Sequence, residues 1–158
     1  MTSPSTILQH SECVEASTVA VLQSTCGVAA QRREDKPVAE EFVLAVISLV
    51  GQVDWTVFLT LPGASAAAIA SKFAGMEIDP GSADLADAIG ELANILAGDV
   101  KARLDVLGIK ADISLPSVMR GQNLEMMIPR DTPVQRTRFE TPLGEIISGV
   151  IASRKAAA

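Results

Sequence analysis

One stretch near the middle of the chain, 83–107, has the apolar spacing of a single long amphipathic helix. Its apolar residues recur every three or four positions, which is the repeat of one helix face. They are Leu85, Ile89, Leu92, Leu96 and Val100. At about 100° per residue, four others fall within an arc of roughly 60° on the opposite side. These four, Asp87, Glu91, Asn94 and Gly98, are called the acid–amide stripe below. The spacing predicts a helix that buries its apolar face and presents this stripe to solvent.

Glycine is an expensive choice inside this predicted helix. Gly90 and Gly98 each cost about 1 kcal/mol relative to alanine in a helix interior, and Asn94 is also a poor helix former. A helix that needed only a solvated face would more often carry Glu, Lys, Gln or Ala at these positions. The glycines therefore favour close approach of another surface around Glu91 and Asn94. An ordinary solvated face with incidental glycines is the alternative that spacing alone leaves open.

Composition limits the classes of function. The chain has 158 residues and a formal net charge of −6, with four Phe, one Trp and no Tyr. Its length predicts one domain, 1–158, with a largely aliphatic core and flexible ends at about 1–6 and 153–158. The scarcity of aromatic rings argues against stacking on bases or sugars. The negative charge argues against binding to a phosphate backbone. We therefore expect no nucleic acid partner.

The sequence also predicts a cytoplasmic protein with no membrane partner. The first residues have neither the basic segment nor the apolar run of an export signal. The longest apolar run, 42–50, is far shorter than the ~20 residues that span a bilayer. Cys13 and Cys26 lie too far apart on one predicted helix for a local disulfide, and they show no metal-binding or redox spacing. Two reduced cysteines are the expected state.

Helices and strands are predicted in a mixed order. Three helices are expected, at 7–25, 65–73 and 83–107. Strands are expected at 41–50, 55–61, 111–115, 124–128, 134–139 and 145–152. The segment 31–37 is predicted to be a charged loop, and Ser82 to be the N-cap of the long helix. Gly27 and Gly108 are the expected helix stops. Two hairpins are expected, one around 51–54 and one around 141–144, and strand 145–152 is apolar enough to be central or interface-forming.

The remaining chemistry points to the stripe. His10 is the one histidine of the sequence and is interpreted as a surface or packing residue. Neither a G-x-S-x-G elbow nor a P-loop occurs, and the stripe has too few ligands for a metal. Glu91 is a weak candidate for a general base, because an exposed glutamate is too acidic for that role. Asn94 can both donate to and accept from a water molecule, so it is suited to orienting one.

The stripe has the form Asp87-x3-Glu91-x2-Asn94-x3-Gly98, which resembles the signature of the CheC/CheX/FliY chemotaxis phosphatases. The resemblance is strongest over 83–104 and continues more weakly through 116–121, which resembles the family's Pro-x4-Gly turn. With a single complete motif, the chain is more similar to CheX than to the two-motif CheC. The first helix carries Ser-x3-Glu-x2-Thr at 11–18 but has leucine where the glycine would follow. A decayed copy of the motif and chance are the two interpretations that the sequence leaves open.

The resemblance implies a fold and an activity. The fold is α+β, with long helices packed on an antiparallel sheet, and CheX-like members are dimers that join their sheets. The implied activity is hydrolysis of the aspartyl-phosphate of a CheY-like response regulator in two-component signalling. A binding module that docks on a receiver domain or a flagellar switch component without hydrolysis is the alternative.

The resemblance also assigns roles within the stripe. Asn94 would align the hydrolytic water, and Glu91 would pair with the active-site lysine of the regulator. Both are the expected catalytic residues. Asp87, Gly90 and Gly98 are the expected partner-binding residues. The protein would need no cofactor or metal of its own, because the Mg²⁺ would belong to the receiver domain of the partner.

Overall fold

The elements of the fold come from a computed structural model that describes residues 9–38, 40–122 and 127–152. Within these residues the helices are α1 (Glu12–Cys26), α2 (Gly63–Ala74) and α3 (Ala83–Val106). The strands are β1 (Gln31–Arg33), β2 (Phe42–Gly51), β3 (Asp54–Pro62), β4 (Ala111–Ile113), β5 (Ser117–Gly121), β6 (Val134–Thr141) and β7 (Gly144–Ala152). The expected flexible ends, 1–6 and 153–158, lie outside the described residues.

All of these strands form one antiparallel sheet. The strand order is β1-β6-β7-β3-β2-β4, and β5 pairs with β2 beside β4. The two expected hairpins, β2–β3 and β6–β7, are confirmed. β7 lies between β6 and β3, so of the two roles predicted for 145–152 the central one is correct. The sheet therefore ends in β1 on one side and in β4 and β5 on the other.

The helices cover one face of the sheet, which confirms the α+β fold. Along β2, β3 and β7, successive side chains point to opposite faces of the sheet, as the two-residue period of a strand requires. Trp55, Leu59 and Ile146 belong to the main core with the apolar residues of α1 and α3. The opposite face carries a smaller buried cluster that includes Phe42 and Phe58, with Val38 packed against it. Both faces of the central strands are thus apolar.

Several predicted segments differ from the structure. The expected loop at 31–37 contains β1, which pairs with β6, and every residue of β1 is exposed. An edge strand of this kind is held by backbone hydrogen bonds, so its side chains carry no apolar signal. The first helix starts at Glu12 rather than at residue 7, because Gln9 to Ser11 form a turn with His10 at a positive φ of 70°. Residues 7 and 8 lie outside the described residues.

The prediction at 124–128 was also wrong where it can be checked. Met127 and Ile128 are not in a strand, while 124–126 lie outside the described part of the chain. The strand lies earlier, as β5, where a turn had been expected. Ser117 to Gly121 pair with β2 over five residues. Alternating half-buried and exposed side chains on this edge strand gave too weak a pattern to separate it from a turn.

β4 and β5 are two parts of one edge strand separated by a bulge. Leu49 of β2 pairs with Ile113, and Val46 pairs with Ser117. The two residues of β2 between these pairs therefore face three residues of the edge strand, 114–116, which is the definition of a β-bulge. Ser114 fixes it: its amide donates to the Ser48 carbonyl at 2.9 Å, and its Oγ accepts from the Ser48 amide at 2.9 Å. The strand predicted at 111–115 accordingly ends at Ile113.

We expect Gly149→Ala in β7 to destabilise the protein by about 2–3 kcal/mol. A Cβ at this position would overlap the carbonyl oxygen of Gln135 and lie 2.5 Å from Cζ of Phe58. Neither atom can move without disturbing the β6–β7 pairing or the buried Phe58 ring. Urea denaturation measures the change in the free energy of unfolding. A loss below about 0.5 kcal/mol would contradict this packing.

Candidate active site on helix α3

The long helix begins and ends close to where the sequence predicts. A turn precedes it, in which the Gly81 amide donates to Asp79 Oδ1 at 2.8 Å and the Ser82 amide donates to the Asp79 carbonyl at 3.0 Å. Ser82 is the N-cap residue in an extended conformation, but its Oγ donates to the Asp79 carbonyl instead of capping the helix. The helix ends at Val106, one residue early, followed by Gly108 at a φ of 79°.

The apolar face of α3 is buried as expected. Each of its five predicted members is exposed by 3% or less. They are Leu85, Ile89, Leu92, Leu96 and Val100. This burial fixes the rotation of the helix about its axis. The opposite side, with the acid–amide stripe, therefore points away from the sheet: Asp87, Glu91 and Asn94 are exposed, and Gly98 is half-buried.

The polar side chains of the stripe have no interaction partner within the described part of the chain. In the described part of the chain, Asp87, Glu91 and Asn94 make no side-chain hydrogen bond or ion pair. One turn further on, the charges are paired: Arg103 Nε lies 2.8 Å from Asp99 Oδ2, and Lys101 Nζ lies 3.6 Å from Asp105 Oδ2. The stripe thus keeps its full hydrogen-bonding capacity for a molecule outside this chain.

The two helix glycines have different surroundings. A Cβ on Gly98 would meet no atom within 4 Å, so this position of the stripe is open. Gly90 is buried, and a Cβ there would lie 3.5 Å from Cγ2 of Val118 and 3.8 Å from Cγ of Pro116. The space left by Gly90 therefore faces the edge strand of this chain, whereas the space at Gly98 faces solvent. Partner contact by either glycine stays a prediction.

Three contacts hold the edge strand along α3, beside the stripe. In the turn just before the helix, Arg120 donates to the Pro80 carbonyl. In the middle, Pro116 and Val118 lie against Gly90. At the end, Lys110 Nζ donates to Asp105 Oδ1 at 3.1 Å. This hydrogen bond, together with the charges of Lys110 and Lys101, lowers the pKa of Asp105. The strand and the helix run in opposite directions.

The motif-like spacing in α1 does not form a second site. Thr18, which stands where the asparagine would, is buried. Its hydroxyl donates to the Val14 carbonyl at 2.7 Å, so the 2.7 Å contact with Ser148 Oγ uses the Ser148 proton. Glu15 is paired with Arg32, with 3.1 Å between Oε1 and Nη1. All of these groups are committed within the chain, in contrast to the stripe on α3.

The histidine and cysteines contribute no chemistry near the stripe. His10 lies in the turn before α1, with Nδ1 3.7 Å from Glu12 Oε1. Cys13 and Cys26 are buried free thiols, and burial raises the pKa of Cys13. Among the residues described, no group of three or more His, Cys, Asp or Glu side chains could hold a metal. Nor does any helix in that part of the chain have the length and apolar character needed to span a membrane.

A cleft at the opposite edge of the sheet was missed by the sequence reasoning. It has a volume of about 490 Å³ and is lined by residues of β1, β6 and the segment after β1. Its four arginines are each paired with a carboxylate: Arg32 with Glu15, Arg33 with Glu140, Arg136 with Asp35 and Arg138 with Glu145. The sequence shows only a charged segment at 31–37, because the strand pairing that assembles this network is long-range. These pairs join β1 and its following segment to the sheet.

Comparison with models of known protein families identifies the family of this chain. The model of the family described as chemotaxis phosphatase CheX matches residues 43–140, which include all of α3 and the edge strand. The matched residues are more than half of the sequence, and they include the acid–amide stripe on the exposed face of α3. The chain therefore belongs to the CheX family of chemotaxis phosphatases. No curated protein matched it.

Solved structures share the fold. A chemotaxis protein CheX from Desulfovibrio desulfuricans is 23% identical with a TM-score of 0.79, over 92% of this chain and 99% of that one. A putative chemotaxis protein from Desulfovibrio vulgaris Hildenborough is 25% identical with a TM-score of 0.76, over 92% and 97%. The CheX chain of the CheX–CheY–BeF3–Mg²⁺ complex from Borrelia burgdorferi is 22% identical with a TM-score of 0.73, over 91% and 97%.

We expect Gly98→Ala and Gly90→Ala to separate the roles of the two glycines. Alanine in place of either should raise the free energy of unfolding by about 0.5–1 kcal/mol, because the helix gains propensity and neither Cβ clashes. Only Gly98→Ala should weaken partner engagement, with a several-fold higher KM, since its Cβ would project into the stripe. Urea denaturation and steady-state kinetics measure the two effects. Equal kinetic losses in both variants would instead assign partner contact to Gly90 as well.

Proposed function

We propose that this protein hydrolyses the aspartyl-phosphate of a CheY-like receiver domain, with the acid–amide stripe inserted at the phosphorylated site. The observation that carries the proposal is the exposed, uncommitted pair Glu91 and Asn94 on a helix whose rotation is fixed by burial. Family membership and the CheX–CheY complex of a relative with the same fold support the choice of partner.

Asn94 is the proposed water-orienting residue. Its amide oxygen accepts a proton of the water, and its NH₂ group donates to a neighbouring oxygen, so the lone pair of the water points at phosphorus. The water oxygen bonds to phosphorus as the bond between phosphorus and the aspartate oxygen breaks. The products are inorganic phosphate, which retains the water protons, and the free receiver carboxylate. Catalysis by Asn94 is therefore positioning rather than proton transfer.

Glu91 is the proposed docking charge. It lies about one turn before Asn94, on the same face of a rigid helix, so its position on the receiver fixes where the amide enters. An exposed carboxylate without an internal partner suits the lysine of a receiver active site. Asp87, one turn earlier and also exposed, extends the same negative surface. The proposal gives this chain no cofactor; the Mg²⁺ belongs to the phosphorylated receiver.

The decisive measurement is the decay of a radiolabelled phosphorylated receiver domain with and without the protein. We expect faster release of inorganic phosphate with at least one receiver domain of the same organism. Binding to a receiver without faster decay would favour the non-catalytic docking module. An unchanged decay rate with every cognate receiver would refute the phosphatase.

Substitutions in the stripe give the sharper prediction. We expect Asn94→Ala to lower kcat by about 100-fold or more, because the water loses its orienting group. Asn94→Asp should be equally inactive, since a carboxylate would face the phosphoryl oxygens. Glu91→Ala should mainly raise KM, by about tenfold or more. Both side chains are exposed, so circular dichroism and unfolding of the three variants should match the wild type.

Gln23→Ala is the matched control for these variants. Gln23 is an exposed amide on α1, outside the stripe, and its replacement should leave both kcat and KM unchanged. If Asn94→Ala keeps full activity while the wild type accelerates dephosphorylation, the assignment of Asn94 is wrong. If Gln23→Ala loses as much as Asn94→Ala, the effect is not specific to the stripe.

A cytoplasmic homodimer is part of the same proposal, because receiver domains act in the cytoplasm and the resemblance to CheX implies a dimer that joins its sheets. The described sheet limits how this can happen, since β7 is central and the two edges are β1 and β4–β5. The bulge at 114–116 interrupts the β4–β5 edge and opposes pairing there, which favours β1 as the edge that joins a second copy. Light scattering after size-exclusion chromatography should give twice the chain mass of 16.5 kDa. A monomer at micromolar concentration would contradict the dimer.

A further inference from the structure

Leu115 is the feature that neither the fold nor the stripe explains. It lies in the bulge of the edge strand and is 89% exposed. A bulge re-aims side chains, and bulges are frequent beside active sites. A leucine that is this exposed buries little of its apolar surface in its own chain, so it contributes little to the stability of the fold.

The bulge places Leu115 at the level of Asn94. Pro116 and Val118 both lie against Gly90, so residue 117 between them is level with Gly90. From this point to the contact of Lys110 with Asp105, the edge segment covers seven residues and the helix covers fifteen. At ~3.3 Å per strand residue and ~1.5 Å per helix residue, both paths are about 23 Å long, so the two elements run side by side. Leu115 is two residues from 117, or about 7 Å. That distance corresponds to four or five helix residues past Gly90.

Leu115 is also held rigidly. On one side, Ser114 is bonded to both the amide and the carbonyl of Ser48. On the other side, Pro116 has a fixed φ and its ring lies against Gly90. Binding through a residue on such a backbone requires no ordering of the main chain, which lowers the entropic cost of a docking contact.

We propose that Leu115 is a docking residue, an apolar contact that packs against the receiver domain beside the point where Asn94 enters. The inference depends on the proposed function for its partner. The stripe supplies negative charge and hydrogen bonds, and Leu115 supplies the apolar contact next to them. The matching surface of the receiver then has a cationic group within its active site and an apolar patch at the rim of that site.

Exposure alone would not single out this residue. Val106 is 87% exposed, but it lies at the end of α3, twelve residues past Asn94 or about 18 Å along the helix axis. Val106 is therefore the matched control, since it has similar apolar character and similar exposure but lies away from the stripe.

The test compares Leu115→Ala, Leu115→Glu, Leu115→Met and Val106→Ala in steady-state dephosphorylation of a phosphorylated receiver domain. We expect Leu115→Ala to raise KM roughly five- to twentyfold with kcat nearly unchanged, and Leu115→Glu to raise it further. Leu115→Met should have a KM close to that of the wild type, because methionine keeps an apolar side chain of similar size. Val106→Ala should behave as the wild type. Unfolding should be unchanged in all four, because neither residue is buried.

A second measurement separates the failure of this contact from the failure of the proposed function. Binding to a beryllofluoride-activated receiver is measured in the Asn94→Ala background, with and without Leu115→Glu, so that docking is observed without hydrolysis. If the wild type is active and Leu115→Ala and Leu115→Glu leave KM and binding unchanged, the docking role alone is overturned. If the wild type neither hydrolyses nor binds any cognate receiver, the proposed function falls and the docking role with it.

Discussion

Burial of the apolar face of α3 is the interaction on which the functional geometry depends. Five large side chains of this face are almost fully buried. At about 2 kcal/mol each, they contribute roughly 10 kcal/mol before the entropy of folding is subtracted. The two helix glycines together cost about 2 kcal/mol. The packing exceeds this cost several-fold, so the helix can carry poor helix formers where its outer surface needs them and still keep one rotation about its axis.

The edge strand is the second constraint, because it determines what lies next to the stripe. Arg120, Val118 and Lys110 tie it to the beginning, middle and end of α3. The sheet, the bulge and the helix therefore form one rigid frame around Glu91 and Asn94. A frame of this kind suits chemistry in which the protein contributes position rather than a titrating group.

The sequence predicted those parts whose signal is local or periodic. The spacing of Leu85 to Val100 predicted α3 and the direction of its stripe, and two apolar runs around 51–54 predicted the central hairpin. Features that depend on long-range pairing were missed. β1 consists of exposed polar residues, and β5 has too few buried side chains to show a period. The neighbours of Gly90 could not be inferred either, because they lie on a strand that reaches the helix only in the folded chain.

The buried hydrogen bond between Thr18 and Ser148 has a consequence for the number of sites in each chain. In α1 the hydroxyl at the asparagine-like position is fixed inside the protein, and Glu15 is held by Arg32. In the described part of the chain, only α3 places a complete Asp-x3-Glu-x2-Asn-x3-Gly spacing on an outward helix face. Each copy therefore offers a single surface of this type. Under the proposed function, the number of receiver domains bound is then proportional to the number of chains. Any cooperativity between sites must then arise from contact between copies rather than from within one.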